Sequence, residues 1–369
     1  MLIPDGPQAL TSEWLTQALW QTGTITSAVV ASFQIQEIGA EGEGITGQTA
    51  RVKLVYDSDE ITAPHTLIAK FHAVDPAVRT AVNSYRGYEN EFRFYQKVAT
   101  QVETPTPRCY YADFHESGVT VLLLEDLAPA RSVGQDINPS QVELAIRQIA
   151  KVHAFWWEHP KSVEIFGEEN LPVIKGIWGY IQKQAQNNWQ SFSELTRDNL
   201  PQEMIGIGQR IVNNWLAIAD QLYYHSPRTF IHGDFGPDNF FFATAEGGAA
   251  FALIDWQLCK RGRGVYDIGM LLGGLPTEQR RKTEQDLLKM YFQILVENRV
   301  EGYPFEQCFD DYRLTQLDAF ARLVFVLHAP IPGEDLERFR ATDHKLRKVE
   351  LPRRCAAILD LGAEKLIPE

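Results

Sequence analysis

Apolar residues along the chain recur with two different periods. Near the start, Trp14, Leu15, Ala18 and Leu19 fall on one helix face, and Thr11 or Ser12 stands where an N-cap belongs, so a helix is expected over 11–22. After Gly23 the pattern shortens. Ala28–Phe33 and Ile35–Ile38 read as short strands, and Ala50–Tyr56 alternates like a third. Thr66–Phe71 is an apolar strand with one lysine in it. Arg108–Asp113 and Val119–Leu124 look like a further pair. Beyond residue 139 the period is helical. Val142, Ala145, Ile146, Ile149, Ala150 and His153 mark a helix over Ser140–Trp157, and two more are expected over Thr277–Asn298 and Asp310–His328.

Composition narrows the class. A chain of 369 residues is one large or two ordinary domains, and 44% hydrophobic with 22% charged residues is a folded globular balance. The net charge of −13 argues against nucleic acid, whose phosphates it would repel, and is compatible with a cationic substrate or with simple solubility. Cys109, Cys259, Cys308 and Cys355 are far apart, so neither a zinc site nor a disulfide framework is indicated. The first residues lack a signal-peptide pattern, and no apolar run approaches the ~20 residues of a membrane span. A cytoplasmic protein without membrane or nucleic-acid partners is expected.

The candidate chemistry sits in Phe230-Ile231-His232-Gly233-Asp234-Phe235-Gly236-Pro237-Asp238-Asn239 and in Phe251–Trp256. Asp234 and Asn239 are five positions apart, which suits one tight loop. Asp255 follows Asp234 by 21 positions, room for a hairpin of Phe240–Ala243, a turn at Glu246-Gly247-Gly248, and Ala250–Ile254. Phosphoryl transfer from ATP needs such a set: one carboxylate for the proton of the attacking hydroxyl, and an amide oxygen with a second carboxylate for magnesium. Asp234-Phe235-Gly236 spells D-F-G, a metal-binding signature, but it follows His232-Gly233 directly, so Asp234 belongs to the catalytic loop and Asp255 is the metal candidate. Upstream, Gly42, Gly44 and Gly47 form G-x-G-x-x-G. It leads into a strand, so it reads as a glycine loop over ATP phosphates or as a plain hairpin turn, and Glu43 is an awkward charge for the first role. Lys70 is the lysine in the apolar strand, and a buried lysine needs a partner.

Together these pieces resemble the aminoglycoside/choline kinase group of the protein kinase-like superfamily, most of all its ecdysteroid kinase-like branch, over nearly the whole chain. The resemblance implies an α+β, two-lobed protein kinase-like fold, with an N-terminal antiparallel sheet plus helix over 1–127 and a mainly helical C-terminal lobe over 128–369. It implies an ATP- and Mg2+-dependent phosphotransferase acting on a small-molecule hydroxyl. Asp234 would be catalytic. Asn239 and Asp255 would hold Mg2+. Lys70, Gly42, Gly44 and Gly47 would meet the phosphates, with Lys70 oriented by Glu91, or by Glu89 as competitor. The hinge at Glu125-Asp126-Leu127 would meet adenine through its main chain, placing Glu125 and Leu127 at the nucleotide. His232 and Asp267 would support the catalytic loop.

Other features stay open. Only 11 residues separate Asp255 from Asp267 and no A-P-E follows, which favours a small-molecule acceptor over a peptide. The ecdysteroid kinase-like flavour suggests a bulky steroid-like acceptor, the aminoglycoside and choline flavours a cation. The aromatics between 155 and 224 read mainly as core. Asp238 is expected to face solvent or a substrate cation, Lys260-Arg261-Gly262-Arg263-Gly264 to be a solvated loop or to line the acceptor entrance, and the basic run Arg338–Arg354 to be a solvated helix face. A silent binding module on the same fold is the alternative, though such modules usually lose the base, the metal aspartate or the lysine.

Overall fold

The computed structural model describes residues 1–38, 46–167, 171–327 and 344–368. They fall into two compact units, Met1–Ser132 with Phe241–Leu258, and Val133–Phe240 with Cys259–Glu369. The expected α+β architecture is present: an antiparallel sheet comes first and helices dominate the rest of the described residues.

In the first unit, helix α1 (Ser12–Gln21) starts where Thr11 accepts the Trp14 amide at 3.1 Å and buries Leu15, Ala18 and Leu19. The sheet holds β1 (Val30–Glu37), β2 (Gly47–Tyr56), β3 (Thr66–His72), β4 (Cys109–Phe114) and β5 (Thr120–Glu125), in the order β1-β2-β3-β5-β4. The two short strands expected near 28–38 are one strand, β1, with a register shift between Val30 and Ser32. Leu67, Ala69 and Phe71 of β3 point into the core shared with α1, while Ile68 and Lys70 point to the other face, as the two-residue period of a strand requires. Helices α2 (Pro76–Ser84) and α3 (Gly87–Lys97) follow β3, and α3 buries Tyr88, Glu91, Phe94 and Tyr95 at helical spacing. The later stretch of chain adds the expected hairpin to this unit. Phe241 and Phe242 pair with Ser132 and Arg131, Thr244 bridges Gly247, and Ala252–Leu253 forms the returning strand.

Gly42 and Gly44 lie outside the described residues. Gly47 is the first residue of β2, paired with His72, and a Cβ there would collide with the Phe71 carbonyl oxygen, so only glycine fits this approach.

The second unit is built from α4 (Pro139–Phe155), α5 (Pro160–Phe166), α6 (Leu171–Leu195), α7 (Glu203–Tyr224), α8 (Val265–Gly274), α9 (Thr277–Glu297), α10 (Phe305–Val326) and α11 (Leu351–Leu361). Asn138 and Gln141 cap α4 reciprocally. Helix α10 packs against α6, α7, α8 and α11, and Trp189, Phe192, Trp215, Leu317 and Phe320 fill that core. Thr229–Ile231 and Lys260–Gly262 form a two-stranded ribbon, with Lys260 opposite Ile231.

Two basic segments differ from expectation. Lys260–Gly264 is no solvated loop: Arg261 and Arg263 are buried, and Lys260 is half-buried. In the C-terminal run, Arg354 is buried and donates to the Gly269 and Met270 carbonyls at 3.1 and 2.7 Å. The guanidinium uses the spare acceptor capacity of these α8 carbonyls, and Gln316 Nε2 also donates to Gly269 at 3.1 Å. Arg338 and Arg340 lie outside the described residues. Among the described residues, no helix is long and apolar enough to cross a membrane.

Candidate active site

The sheet unit gathers three charged groups. Lys70 stands on β3 in register with Thr49 and Leu122, on the face turned toward α3. Its Nζ donates to Glu91 Oε1 at 2.8 Å and to Asp255 Oδ1 at 3.1 Å. Glu89 is occupied elsewhere, paired with Arg86 at 2.8 Å and Arg93 at 2.6 Å. Helical geometry explains the choice: Glu91 shares the buried face of α3 with Tyr88 and Phe94, whereas Glu89 lies off it. Burial works against the charge on Lys70, but Asp255 and Glu91 outweigh it and raise its pKa above the ordinary lysine value. Glu91 is pushed up by burial foremost, with Lys70 pulling against it and Asp255 adding to it.

Asp255 is held by its neighbours. Trp256 stacks on Phe94 with ring centroids 3.9 Å apart and planes 9° from parallel. Asn90 donates to the Gln257 carbonyl at 3.3 Å. Asp255 itself has φ 64°, in the left-handed region that an L-residue adopts at a cost. Its side chain keeps 37% of its surface exposed. At the end of β5, Glu125 accepts the Arg108 amide at 3.0 Å, Asp126 pairs with Arg51 at 2.6 Å, and the Leu127 carbonyl accepts from Ala130 at 2.9 Å. All three acidic or carbonyl groups thus make structural contacts within this unit.

The helical unit holds the loop with Asp234. The His232 and Gly233 amides donate to Asp267 at 2.7 and 2.9 Å. Asp267, on α8, is fully buried and also meets His153 Nε2 at 3.1 Å, while His153 Nδ1 meets the Tyr291 hydroxyl at 3.1 Å. The Asp234 amide donates to His232 Nδ1 at 3.2 Å, and Gly233 has φ 84°, where glycine costs nothing. This turn leaves the Asp234 side chain exposed. Asn239 Nδ2 donates to the Asp234 carbonyl at 2.9 Å and to its Oδ2 at 3.2 Å, which orients the amide oxygen of Asn239 away from both. Asp238 forms an ion pair with Lys345, a contact that the sequence did not disclose.

The donor set is carboxylate and amide oxygen, the chemistry of a hard cation such as magnesium. Among the described residues, no three His, Cys, Asp or Glu side chains gather as a metal cage. Magnesium in phosphoryl-transfer sites needs none, because one or two carboxylates share it with substrate phosphates. As to donor type, Asp255 in the sheet unit and Asn239 in the helical unit each suit such an ion.

Sequence reasoning missed one polar cluster of the helical unit. Asp318 and Arg322, one turn apart on α10, meet Tyr223, Tyr266 and Trp215 in its core. Their only signal was two opposite charges at i, i+4 on a helix otherwise apolar on that side.

The sequence model of the ecdysteroid kinase-like family matches residues 41–301. Among curated proteins, none matches the chain. Several solved structures share its fold. A candidate aminoglycoside phosphotransferase from Ralstonia eutropha JMP134 aligns with TM-score 0.54 at 14% identity, covering 96% of this chain and 99% of that one. A spectinomycin phosphotransferase solved with ADP and spectinomycin aligns with TM-score 0.52 at 12% identity, again over 96% and 99%. A microcompartment-associated aminopropanol kinase aligns with TM-score 0.52 at 15% identity over the same shares.

Proposed function

We propose, from the premise that the chain belongs to the ecdysteroid kinase-like family, that it moves the γ-phosphoryl group of ATP to a hydroxyl of a small molecule with the help of magnesium. The observation that carries this reading is the joint placement of Lys70 against Glu91 and Asp255. A lysine kept charged by two carboxylates is suited to phosphate oxygens, and a carboxylate beside it is suited to the accompanying cation. Kinases of known structure with this fold, one of them bound to ADP, support the reaction class.

In this reading the acceptor oxygen attacks the γ-phosphorus. A new P–O bond forms as the bond to the departing ADP oxygen breaks, and the hydroxyl proton passes to Asp234. Asp267 fixes the loop by taking the amides of His232 and Gly233, so that Asp234 is aimed before substrate arrives. Asn239 and Asp255 would hold magnesium, which neutralises phosphate charge when bound. Gly47 would bring the β2 backbone toward the phosphates, and the main chain of Glu125–Leu127 would meet the adenine. The acceptor is a small molecule rather than a peptide, because only 11 residues separate Asp255 from Asp267 and the sequence holds no A-P-E after them.

The test is calorimetric titration of ATP, with and without magnesium, into wild type and Asp255→Asn, followed by ADP-release assays with hydroxylated compounds. Magnesium-dependent binding that the variant loses supports the reading. Wild type that binds no nucleotide would overturn it in favour of a silent module on the same fold.

A further inference from the structure

The helical unit contains a lysine whose surroundings suit it to a ligand. Lys260 lies opposite Ile231 in the two-stranded ribbon, and Ile231 is three residues before Asp234. Three residues of chain span at most about 10 Å, so Lys260 is within small-molecule reach of the catalytic loop.

The Lys260 ammonium stands 4.4 Å from the centre of the Tyr223 ring and 5.8 Å from that of Tyr266. Among the described residues these ring faces are its contacts, with no carboxylate in hydrogen-bonding range. Asp318, whose charge pulls on Lys260, is already committed. Its Oδ1 accepts from Trp215 Nε1 at 2.8 Å, and its Oδ2 accepts from Arg322 at 2.7 Å, Tyr223 at 2.9 Å and Tyr266 at 3.3 Å. Asp267 is committed to backbone amides. Arg322 thus has a carboxylate partner, while Lys260 rests on ring faces alone among the described residues. Arg322 also lies over Trp178, 5.1 Å from its centroid, with a quarter of its side chain exposed, and Trp178 is itself half-buried.

An ammonium held on aromatic faces beside a guanidinium is short of negative charge. Burial, and then the Arg322 charge, bring Lys260 down to about 7, against the pull of Asp318, Asp267 and Cys259. An arriving oxyanion would restore the balance, whereas a cation would meet two like charges in a desolvated setting.

We propose that Lys260 and Arg322, framed by Tyr223, Tyr266 and Trp178, form a binding site for an oxyanion, a carboxylate or a phosphate, carried by the acceptor next to a flat apolar body. The anion meets the Lys260 ammonium on the side of Arg322, and the apolar body lies beside the stacked Trp178 and Tyr223 rings, whose centroids are 5.6 Å apart. The protein then selects hydroxylated acids over the cationic alcohols and amino sugars. The anion site stands on its own geometry; that its ligand is the phosphoryl acceptor rests on the kinase reading above.

The experiment is calorimetric titration at pH 7 and matched chloride of three probes, benzoate, inorganic phosphate and benzylamine, into wild type, Lys260→Met and Lys260→Arg. We expect one-to-one binding of an anion to wild type, weakened about tenfold or more in Lys260→Met and kept within a few-fold in Lys260→Arg, with no benzylamine binding. Tighter benzoate than phosphate assigns a carboxylate-bearing ligand, and the reverse order a phosphate-bearing one. A readout that needs no variant is acetylation of Lys260 by acetic anhydride, followed by mass spectrometry, which the bound anion should slow. Absence of anion binding, anion affinity unchanged in Lys260→Met, or preference for benzylamine would overturn the proposal. None of these titrations contains ATP or a hydroxyl. A failure of phosphotransfer therefore sinks the kinase reading alone, and a failure here sinks the anion site alone.

Discussion

Lys70 and Asp255, 185 residues apart in the sequence, meet at 3.1 Å within the sheet unit. Glu91 completes the group from the buried face of α3. One ammonium between two carboxylates carries a net negative charge in a largely buried place. In the function proposed above, a divalent cation beside Asp255 would balance that charge.

Replacing Asp255 by Asn should therefore separate function from stability. The Lys70–Glu91 pair survives and Asp255 is partly exposed, so stability should change by less than about 1 kcal/mol. Phosphotransfer should fall by a factor on the order of 10³, as when one charge-stabilising group is lost. Urea unfolding and ADP release on the same preparation check both halves.

The two glutamates of α3 should behave differently. Glu91→Ala removes one partner of a buried lysine that keeps Asp255, and should cost about 2 kcal/mol, below the 3–5 typical when no partner remains. Glu89→Ala breaks only half-exposed pairs with Arg86 and Arg93 and should cost under about 1 kcal/mol. Equal losses for both in urea titrations would contradict this assignment.

Asp267 makes its contribution through the backbone. Asp267→Ala leaves the His232 and Gly233 amides without their acceptor, at about 1–3 kcal/mol for each buried donor. Asp267→Asn keeps acceptor oxygen for one of them and should recover part of the loss. Because the effect is on the aim of Asp234, kcat should fall more than nucleotide affinity, which steady-state kinetics and calorimetry distinguish.

Lys260 should leave a mark on stability as a function of pH. Its folded-state value of about 7 lies below the ordinary 10.5. Between those pH values the unfolded chain binds more protons than the folded one, so this group adds stability as pH rises through the window and withdraws it as pH falls toward 7. Lys260→Met should gain in melting temperature over wild type at pH 6, with the gain shrinking toward pH 10. A constant difference across the range would show an unperturbed lysine.

Much of the fold could be read from the chain because its signals were local. The two-residue period placed β2, β3, β4 and β5 within a few residues, and helical stripes placed α1, α4 and α9 similarly. The residues assigned from motif spacing and from the family resemblance fall into two structural groups, Lys70 with Glu91 and Asp255, and Asp234 with Asn239, His232 and Asp267. What stayed hidden was decided by packing between distant segments. Nothing near Arg354 in sequence says that its guanidinium turns inward to the carbonyls of α8. Charge density alone made Arg261 and Arg263 look solvated, although Arg261 is buried in the ribbon with Thr229–Ile231 and Arg263 is buried against Asp311 and the Pro227 carbonyl. The Asp318 cluster draws on α7, α8 and α10, and each member alone has an ordinary reading.

The sheet unit is written in two pieces, Met1–Ser132 and Phe241–Leu258, with more than a hundred residues of the helical unit spliced between them. No single cut of the gene can therefore release it whole. A fragment ending at Ser132 would lack Asp255 and would leave Phe94 without the Trp256 ring that covers it. On a ribosome, that fragment emerges first and must wait for the return segment before its charged group can close. The last-arriving segment thus couples completion of the sheet unit to synthesis of the Asp234 loop, and a prematurely truncated product carries an unfinished Lys70 group.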